Sequence, residues 1–197
     1  MSTETFTPTT RSVATQFDLS TGLAADTASL LRPLSAMAGM YADSVAFDAA
    51  VAADDVLSYE FYDMGVPYLE TEIAYGTSIT YPGRVGDEYF MTKGHFHTRL
   101  EAAEIYFCLS GEGLMLMESP EGDVQVEEFR AGRAVYVPGR YAHRSINTSS
   151  TEPLITFFAF PGDAGHDYGT IETKGFRKIV VDREGVPTLL DNPRWQS

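Results

Sequence analysis

From residue 56 onward the chain is a succession of short segments rich in β-branched and aromatic residues, each ending at Gly, Pro, Asn or Ser. They read VLSYEFYDM, ETEIAYGTSITYPG, EYFMTKGHFH, EIYFCLSGEG, LMLMESPEG, DVQVEEFRAG, AVYVPG, HRSINTSS and PLITFFAFPG. Regular spacing of this kind predicts an all-β sandwich or barrel. The tail from 166 to 197 adds one more expected strand, RKIVVD, followed by polar turns. No self-similarity occurs at the ~20–50-residue period of solenoids or propellers.

The chain upstream has a different texture. Residues 27–54 place Leu30, Leu31, Leu34, Met37, Met40, Tyr41, Val45, Phe47 and Val51 largely at spacings of 3 and 4. This predicts short helices, with Asp43 or Ser44 as N-cap of one over 45–52. Residues 1–26 begin rich in Thr and Ser with little apolar pattern, so they are expected to be an arm, loosely ordered or packed on the barrel or a partner. Residues 27–197 are then a single domain with a helical N-terminal extension, which a length of 197 residues accommodates.

Charge narrows the partners. The formal net charge of −14 argues against nucleic acid or an anionic membrane, since both bind basic surfaces. It leaves room for a small anion, which needs only a few local donors. No run of about 18 apolar residues predicts a membrane span, and MSTETFTPTTRSVATQ lacks the basic start and apolar core of a secretory signal. A lone cysteine, Cys108, precludes an intramolecular disulfide and is expected to pack as a small apolar residue. A cytoplasmic location is the expectation.

The chemistry gathers around the few histidines. In GHFHTRLEAAEIY, strand alternation turns His95 and His97 to one side and Phe96 to the other. Imidazole is the commonest side-chain ligand for transition metals, so two on one face form a partial metal cage. The carboxylate could come from Glu101 or Glu104. Glu104 is preferred, because it opens an apolar strand where an unpaired carboxylate is costly to bury, whereas Glu101 lies in a loop where it stays solvated. In AVYVPGRYAHRSIN, His143 follows the turn at Pro138–Gly139. If that strand lies beside the first, His143 completes a site of three histidines and one glutamate.

The spacing is more specific than any one residue. Gly111 follows Glu104 after six residues, and Gly132, Pro138, His143 and Asn147 are separated by five, four and three residues. These two segments resemble the paired motifs of the cupins. The gap of six residues between His97 and Glu104 is longer than is usual there, and Arg140 stands where the pattern usually has Gly. The resemblance implies an all-β double-stranded β-helix, or jelly-roll, barrel with short N-terminal helices. It also implies one divalent metal held inside by His95, His97, Glu104 and His143, with Fe(II) ahead of Mn, Ni and Zn.

Further stretches narrow the resemblance. YPGRVGDEYFMTKGHFH, AEIY, PEGD, YVPGRYAHRSIN, FPGDAGHDYGTIETKGF and the closing DNPRW are similar to the cupin-type phosphoglucose isomerases, from about residue 55 to the C-terminus. That family interconverts glucose 6-phosphate and fructose 6-phosphate in glycolysis and gluconeogenesis; mannose 6-phosphate falls in the same substrate class. The resemblance implies that Thr92 and Gly94 help hold the substrate phosphate, that Tyr59 and Ser78 bind substrate from neighbouring strands at the same end, and that His166 and Tyr168 line the sugar end. It gives Glu104, His166 and Tyr168 the catalytic roles and implies a homodimer. Ser78 stands where relatives more often have Thr, and Phe160 where many have Tyr, so a hydroxyl is missing at the second position. Lys93, Arg99, Arg140 and Arg144 are expected to be solvated surface charges, one or two of them near enough to steer an anion.

The sequence leaves the mechanism open between an enediol route with Glu104 as base and a hydride shift that needs no base. Two other functions fit the bare motif. A cupin dioxygenase would use Fe(II) in the same cage, but the TKG segment before the ligands argues against it. A non-catalytic sugar-binding cupin would not need every ligand.

Overall fold

A computed structural model describes residues 12–195 of the chain. Its frame is antiparallel. β1 (Leu30–Pro33), β2 (Leu57–Asp63), β3 (Ile73–Thr80), β11 (Leu154–Pro161), β6 (Glu104–Ser110) and β9 (Ala134–Val137) make a six-stranded sheet in that order. β10 (Ala142–Asn147), β7 (Glu112–Glu118) and β8 (Val124–Arg130) make a second sheet. The third contains β13 (Val186–Asp191), β12 (Lys178–Arg183), β5 (Glu88–Tyr89) and β4 (Arg84–Val85). The strand-dominated class expected from the punctuated segments is the class observed, a jelly-roll barrel.

Period-2 alternation decides which side chains reach the interior. On β6, Glu104, Tyr106 and Cys108 are buried, while Ile105 and Phe107 are exposed. On β11, Phe158 and Phe160 turn inward, and they meet Met115 and Met117 of β7 and Phe129 of β8 across the barrel. Cys108 lies in this core with 0% exposure, as a small apolar residue would. A second core joins Leu34, Met37, Tyr41 and Phe47 to Phe90, Ile146 and Phe176. Each large apolar side chain so buried contributes about 1.5–3 kcal/mol.

The stretch before β2 departs from the helical expectation in part. Leu30–Pro33 is a strand, because the edge of β2 offers it backbone partners, with Leu31 opposite Glu60 and Arg32 opposite Tyr59. Pairing of this kind overrides a weak helical pattern. A single 3-10 turn follows at Leu34–Met37, then α1 (Ser44–Ala53). Asp43 caps α1, its Oδ1 accepting from the Ala46 N–H at 2.8 Å.

The tail also differs. Where polar turns were expected after RKIVVD, β13 folds back on β12 through Glu184–Gly185, both at positive φ. That is the geometry of a tight hairpin turn. Pro187 masks the second strand in the sequence, and it is tolerated because β13 is an edge. A further short helix, α2 (Gly169–Lys174), follows GHDYG.

Residues 12–26 lie against the outer side of β3 and β11. Phe17 bridges Ala24, the Thr77 hydroxyl donates to the Gly22 carbonyl at 2.5 Å, and the Phe17 ring meets Phe157 edge-on at 6.0 Å. Residues 1–11 of the expected arm lie outside the described residues. Among the described residues, no helix is long and apolar enough to cross a membrane.

Candidate active site

The GHFH segment does not form a continuous strand with its neighbours, yet it runs antiparallel to β10. Thr92 N–H donates to the Ser145 carbonyl at 2.9 Å, His95 N–H to the His143 carbonyl at 3.3 Å, and His143 N–H to the His95 carbonyl at 3.1 Å. This pairing seats the His95 and His143 rings side by side, their centroids 4.6 Å apart. One residue on, Phe96 bridges Asp167 and so draws the GHDYG segment to the same place. His166 comes within 4.4 Å of His95, centroid to centroid. Glu104 enters from the start of β6, opposite Val137 of β9.

The result is a cluster in which one ligand atom each of His95, His97, Glu104 and His143 lies within 4.8 Å of the others. Glu101 is not in it; its carboxylate is exposed and accepts from Arg140 at 3.1 Å.

The two outer rings are held by the backbone. His97 Nδ1 donates to the Ala102 carbonyl at 2.9 Å, and His143 Nδ1 to the Tyr141 carbonyl at 3.3 Å. Such bonds fix the tautomer and leave the Nε2 lone pair free. Both Nε2 atoms face Oε2 of Glu104, at 3.2 Å and 2.9 Å. The Nε2 of His95 is buried with no protein partner. Lone pairs facing a carboxylate at these distances need a positive charge among them, and a set of three imidazoles and one carboxylate suits a divalent transition metal. The residues therefore fit such an ion.

A proton on Nε2 of His97 or His143 would supply the same positive charge as an ion, and the cluster titrates with such a proton in place of the ion. Burial pushes Glu104 up, but His143 and His97 outweigh it and draw the carboxyl down to about 2. Burial lowers His97, and its hydrogen bond and charge interaction with Glu104 raise it on balance. Burial, with the neighbouring imidazoles, pulls His95 well below the usual range.

A cavity of about 240 Å³ opens beside the cluster. It is lined by Tyr59, Ser78, Thr92 and Gly94, all named from the sequence, and by His166 and Tyr168. His166 and Tyr168 stack at 5.8 Å with their planes 18° apart. Burial lowers His166 and pushes Tyr168 up to about 12. Phe160 packs its ring 5.7 Å from His97 and 5.3 Å from His166, so this position contributes an apolar wall.

Sequence reasoning missed Tyr106, which lines the cavity beside Glu104 and is raised well above its usual range by burial and that carboxylate. The signal was available, because Tyr106 is two residues from Glu104 on one strand.

The four expected surface charges divide. Arg99 pairs with Asp163 at 2.8 Å, and Arg140 with Glu101 and Glu121 at 3.1 and 2.6 Å, all at the surface. Lys93 instead lines the cavity, half-buried and paired with Glu172 at 2.8 Å. Arg144 is buried, so its reading as a solvated charge is corrected; packing under residues 91–94 takes it out of water. Arg140 also explains its own departure from the motif. Its φ is +74°, the left-handed conformation a glycine would adopt freely, at about 1–2 kcal/mol for a side-chain-bearing residue.

Residues 31–196 match the family model described as Glucose-6-phosphate isomerase (GPI). The chain is 43% identical over 181 residues to a glucose-6-phosphate isomerase of Thermococcus litoralis, covering 92% of this chain and 95% of that one. It is 43% identical over 179 residues to one of Pyrococcus furiosus, covering 91% and 94%. Among solved structures, an oxalate oxidase superposes with a TM-score of 0.43 at 18% identity, covering 52% of this chain and 49% of that one, too distant to bear on the reaction.

Proposed function

The chain belongs to the cupin-type glucose-6-phosphate isomerase family, and we propose that its interconversion of glucose 6-phosphate and fructose 6-phosphate depends on a divalent metal held by His95, His97, Glu104 and His143. The observation that carries the metal is the pair of Nε2 lone pairs facing Glu104 at 2.9 and 3.2 Å in a buried site. By the family resemblance Fe(II) heads the candidates, and the donor set of imidazoles and a carboxylate also suits Mn, Ni and Zn. Such an ion would supply Lewis acidity toward the oxygens on C1 and C2 of the open-chain sugar.

The protein's own groups do the rest. Tyr59, Ser78, Thr92 and Gly94 line one part of the cavity, and their hydroxyls and backbone suit a phosphate. Binding there fixes C1 and C2 against the cluster and supplies energy remote from the reacting bond. To His166 and Tyr168, which line the cavity, we assign the movement of protons at the sugar oxygens.

The structure favours one of the two routes. A carboxylate engaged with a cation is a weaker base, because the cation holds its lone pairs and favours the charged form, and Glu104 Oε2 lies within 3.2 Å of two imidazole nitrogens of the same cluster. We therefore read Glu104 as a ligand. In the forward direction the hydrogen on C2 passes to C1 with its electron pair, and the proton of the C2 hydroxyl passes to the former aldehyde oxygen on C1. His166, neutral in its buried position, accepts and returns that proton, with Tyr168 beside it.

A homodimer is part of the same reading, supported by the exposed Ile105, Phe107 and Tyr136 on the outer face of β6 and β9. The test of the function is conversion of fructose 6-phosphate by purified protein before and after chelation, with each ion restored singly. Turnover lost to chelation and regained with metal is expected; turnover indifferent to chelation would overturn the metal-dependent reading.

A further inference from the structure

We propose that Arg144 is a positioning residue for the anionic end of the substrate, its buried charge lying behind residues 92–94 and favouring a phosphate over a neutral sugar. The inference rests on the reading of Thr92 and Gly94 as part of the phosphate subsite.

The placement follows from alternation on β10. His143 and Ser145 line the cavity, so Arg144, between them, points the opposite way. There it is 3% exposed, with its guanidinium 4.1 Å from the centroid of the Phe176 ring. Its Nη2 donates to the Lys93 carbonyl at 2.6 Å. Gly94 packs on the root of the same side chain, since a Cβ built there would stand 3.0 Å from Arg144 Cβ. The backbone that lines the cavity at 92–94 is therefore the wall between the guanidinium and the bound anion.

The charge has no direct ion-pair partner: among the described residues, Arg144 has no carboxylate at ion-pair distance, and its Nε has no partner. The acids whose charges act on it are Glu88 and Glu118. Glu118 is engaged by Arg177, through the backbone N–H at 2.6 Å and the guanidinium at 3.1 Å. Glu88 accepts from the Ala42 N–H at 2.9 Å through Oε2 alone, its Oε1 being buried without a hydrogen-bond partner. The other cations nearby are weaker sources: Lys93, which lines the cavity, is paired with Glu172 at 2.8 Å, and Arg32, 5.3 Å over the ring of the cavity residue Phe61, is half-exposed and screened by water. A buried guanidinium without an ion-pair partner is a costly arrangement. A dianion across the wall compensates it, on a protein whose net charge of −14 otherwise repels that dianion.

The experiment compares the metal-loaded wild type with R144M, R144K and T92A. It measures kcat and KM for fructose 6-phosphate, the inhibition constant of inorganic phosphate, and metal content. R144M is expected to raise KM and the phosphate inhibition constant together by about tenfold to a hundredfold, with kcat and metal content close to wild type. R144K keeps the charge but loses the planar fork, and is expected to hold phosphate within about threefold of wild type. An unchanged inhibition constant in R144M overturns the proposal. So does equal loss in R144K and R144M, which marks a merely structural prop. If R144M does not fold, R144K decides alone, and loss of phosphate affinity in it counts against the proposal. Weaker phosphate inhibition in T92A upholds the subsite on which the inference rests; unaltered inhibition in T92A means that the subsite reading itself has failed.

Discussion

The Nε2 of His143 lies 2.9 Å from Oε2 of Glu104, while the Nδ1 side of the same ring is turned to the Tyr141 carbonyl at 3.3 Å. With Nδ1 donating to that carbonyl, the ring turns its Nε2 lone pair toward a carboxylate oxygen, an opposition that calls for a cation between them. Supplying a divalent ion should relieve that opposition and stabilise the fold. At about 100 times the dissociation constant the gain is about 2.7 kcal/mol, or roughly 5–10 °C in Tm for a chain of this size. Calorimetry of the chelated protein with and without each ion checks this. H143A should abolish the shift; a midpoint unmoved by every ion would remove the metal centre.

If Glu104 is a ligand and not a base, the hydrogen on C2 never exchanges with solvent. Conversion of glucose 6-phosphate in deuterated water should then leave C1 of fructose 6-phosphate unlabelled after a single turnover. Deuterium at C1, seen by NMR or mass spectrometry, would restore the enediol route and with it a base.

Gly94 sits at φ +76°, and a Cβ there would come 2.8 Å from the Phe176 ring and 2.9 Å from the His143 carbonyl. Gly94→Ala should cost at least the left-handed strain of about 1–2 kcal/mol, so Tm should fall by about 2–8 °C. Gly39 provides the control, with φ +82° and nothing within 4 Å of its built Cβ. Only Gly94→Ala should also raise KM, by about tenfold for a displacement that costs roughly 1.4 kcal/mol of substrate binding. Equal behaviour of the two variants would show that the crowding at Gly94 has no consequence.

Burial raises Glu88 to about 6, against a partly opposing hydrogen bond from Ala42 and the charge of Arg144. A carboxyl raised in the folded state binds its proton more tightly there than in the unfolded chain. Its contribution is therefore most favourable below pH ~4.5 and declines as pH rises through 6. Glu88→Gln does not titrate. The stability difference between the variant and wild type should move by about 2 kcal/mol in the variant's favour between pH 4.5 and 7. Urea unfolding at the two pH values reads it directly, and a difference that stays constant would mean that Glu88 titrates normally.

The barrel and its cluster were legible because each rests on short-range rules. Gly and Pro punctuate the strands, alternation pairs His95 with His97, the apolar strand it opens singles out Glu104, and His143 follows a turn that brings it beside His95. What escaped the sequence depends on long-range packing. Leu30–Pro33 is a strand only because β2 has a free edge, and Val186–Asp191 only because the Glu184–Gly185 turn folds it back. Arg144 looked like any surface arginine, since nothing in AHRSIN tells that every residue of β10 is buried. Tyr106 is a different failure: alternation from Glu104 already pointed it inward.

The lone Cys108 is buried on the same face of β6 as Glu104, and burial pushes its thiol up to about 11. At neutral pH it is a poor nucleophile, closed to bulky reagents. The natural chain is therefore already a quiet background for thiol chemistry. A spectroscopic label attached to a cysteine engineered at the cavity mouth would be the sole reporter, and could time substrate entry without first removing anything from the core.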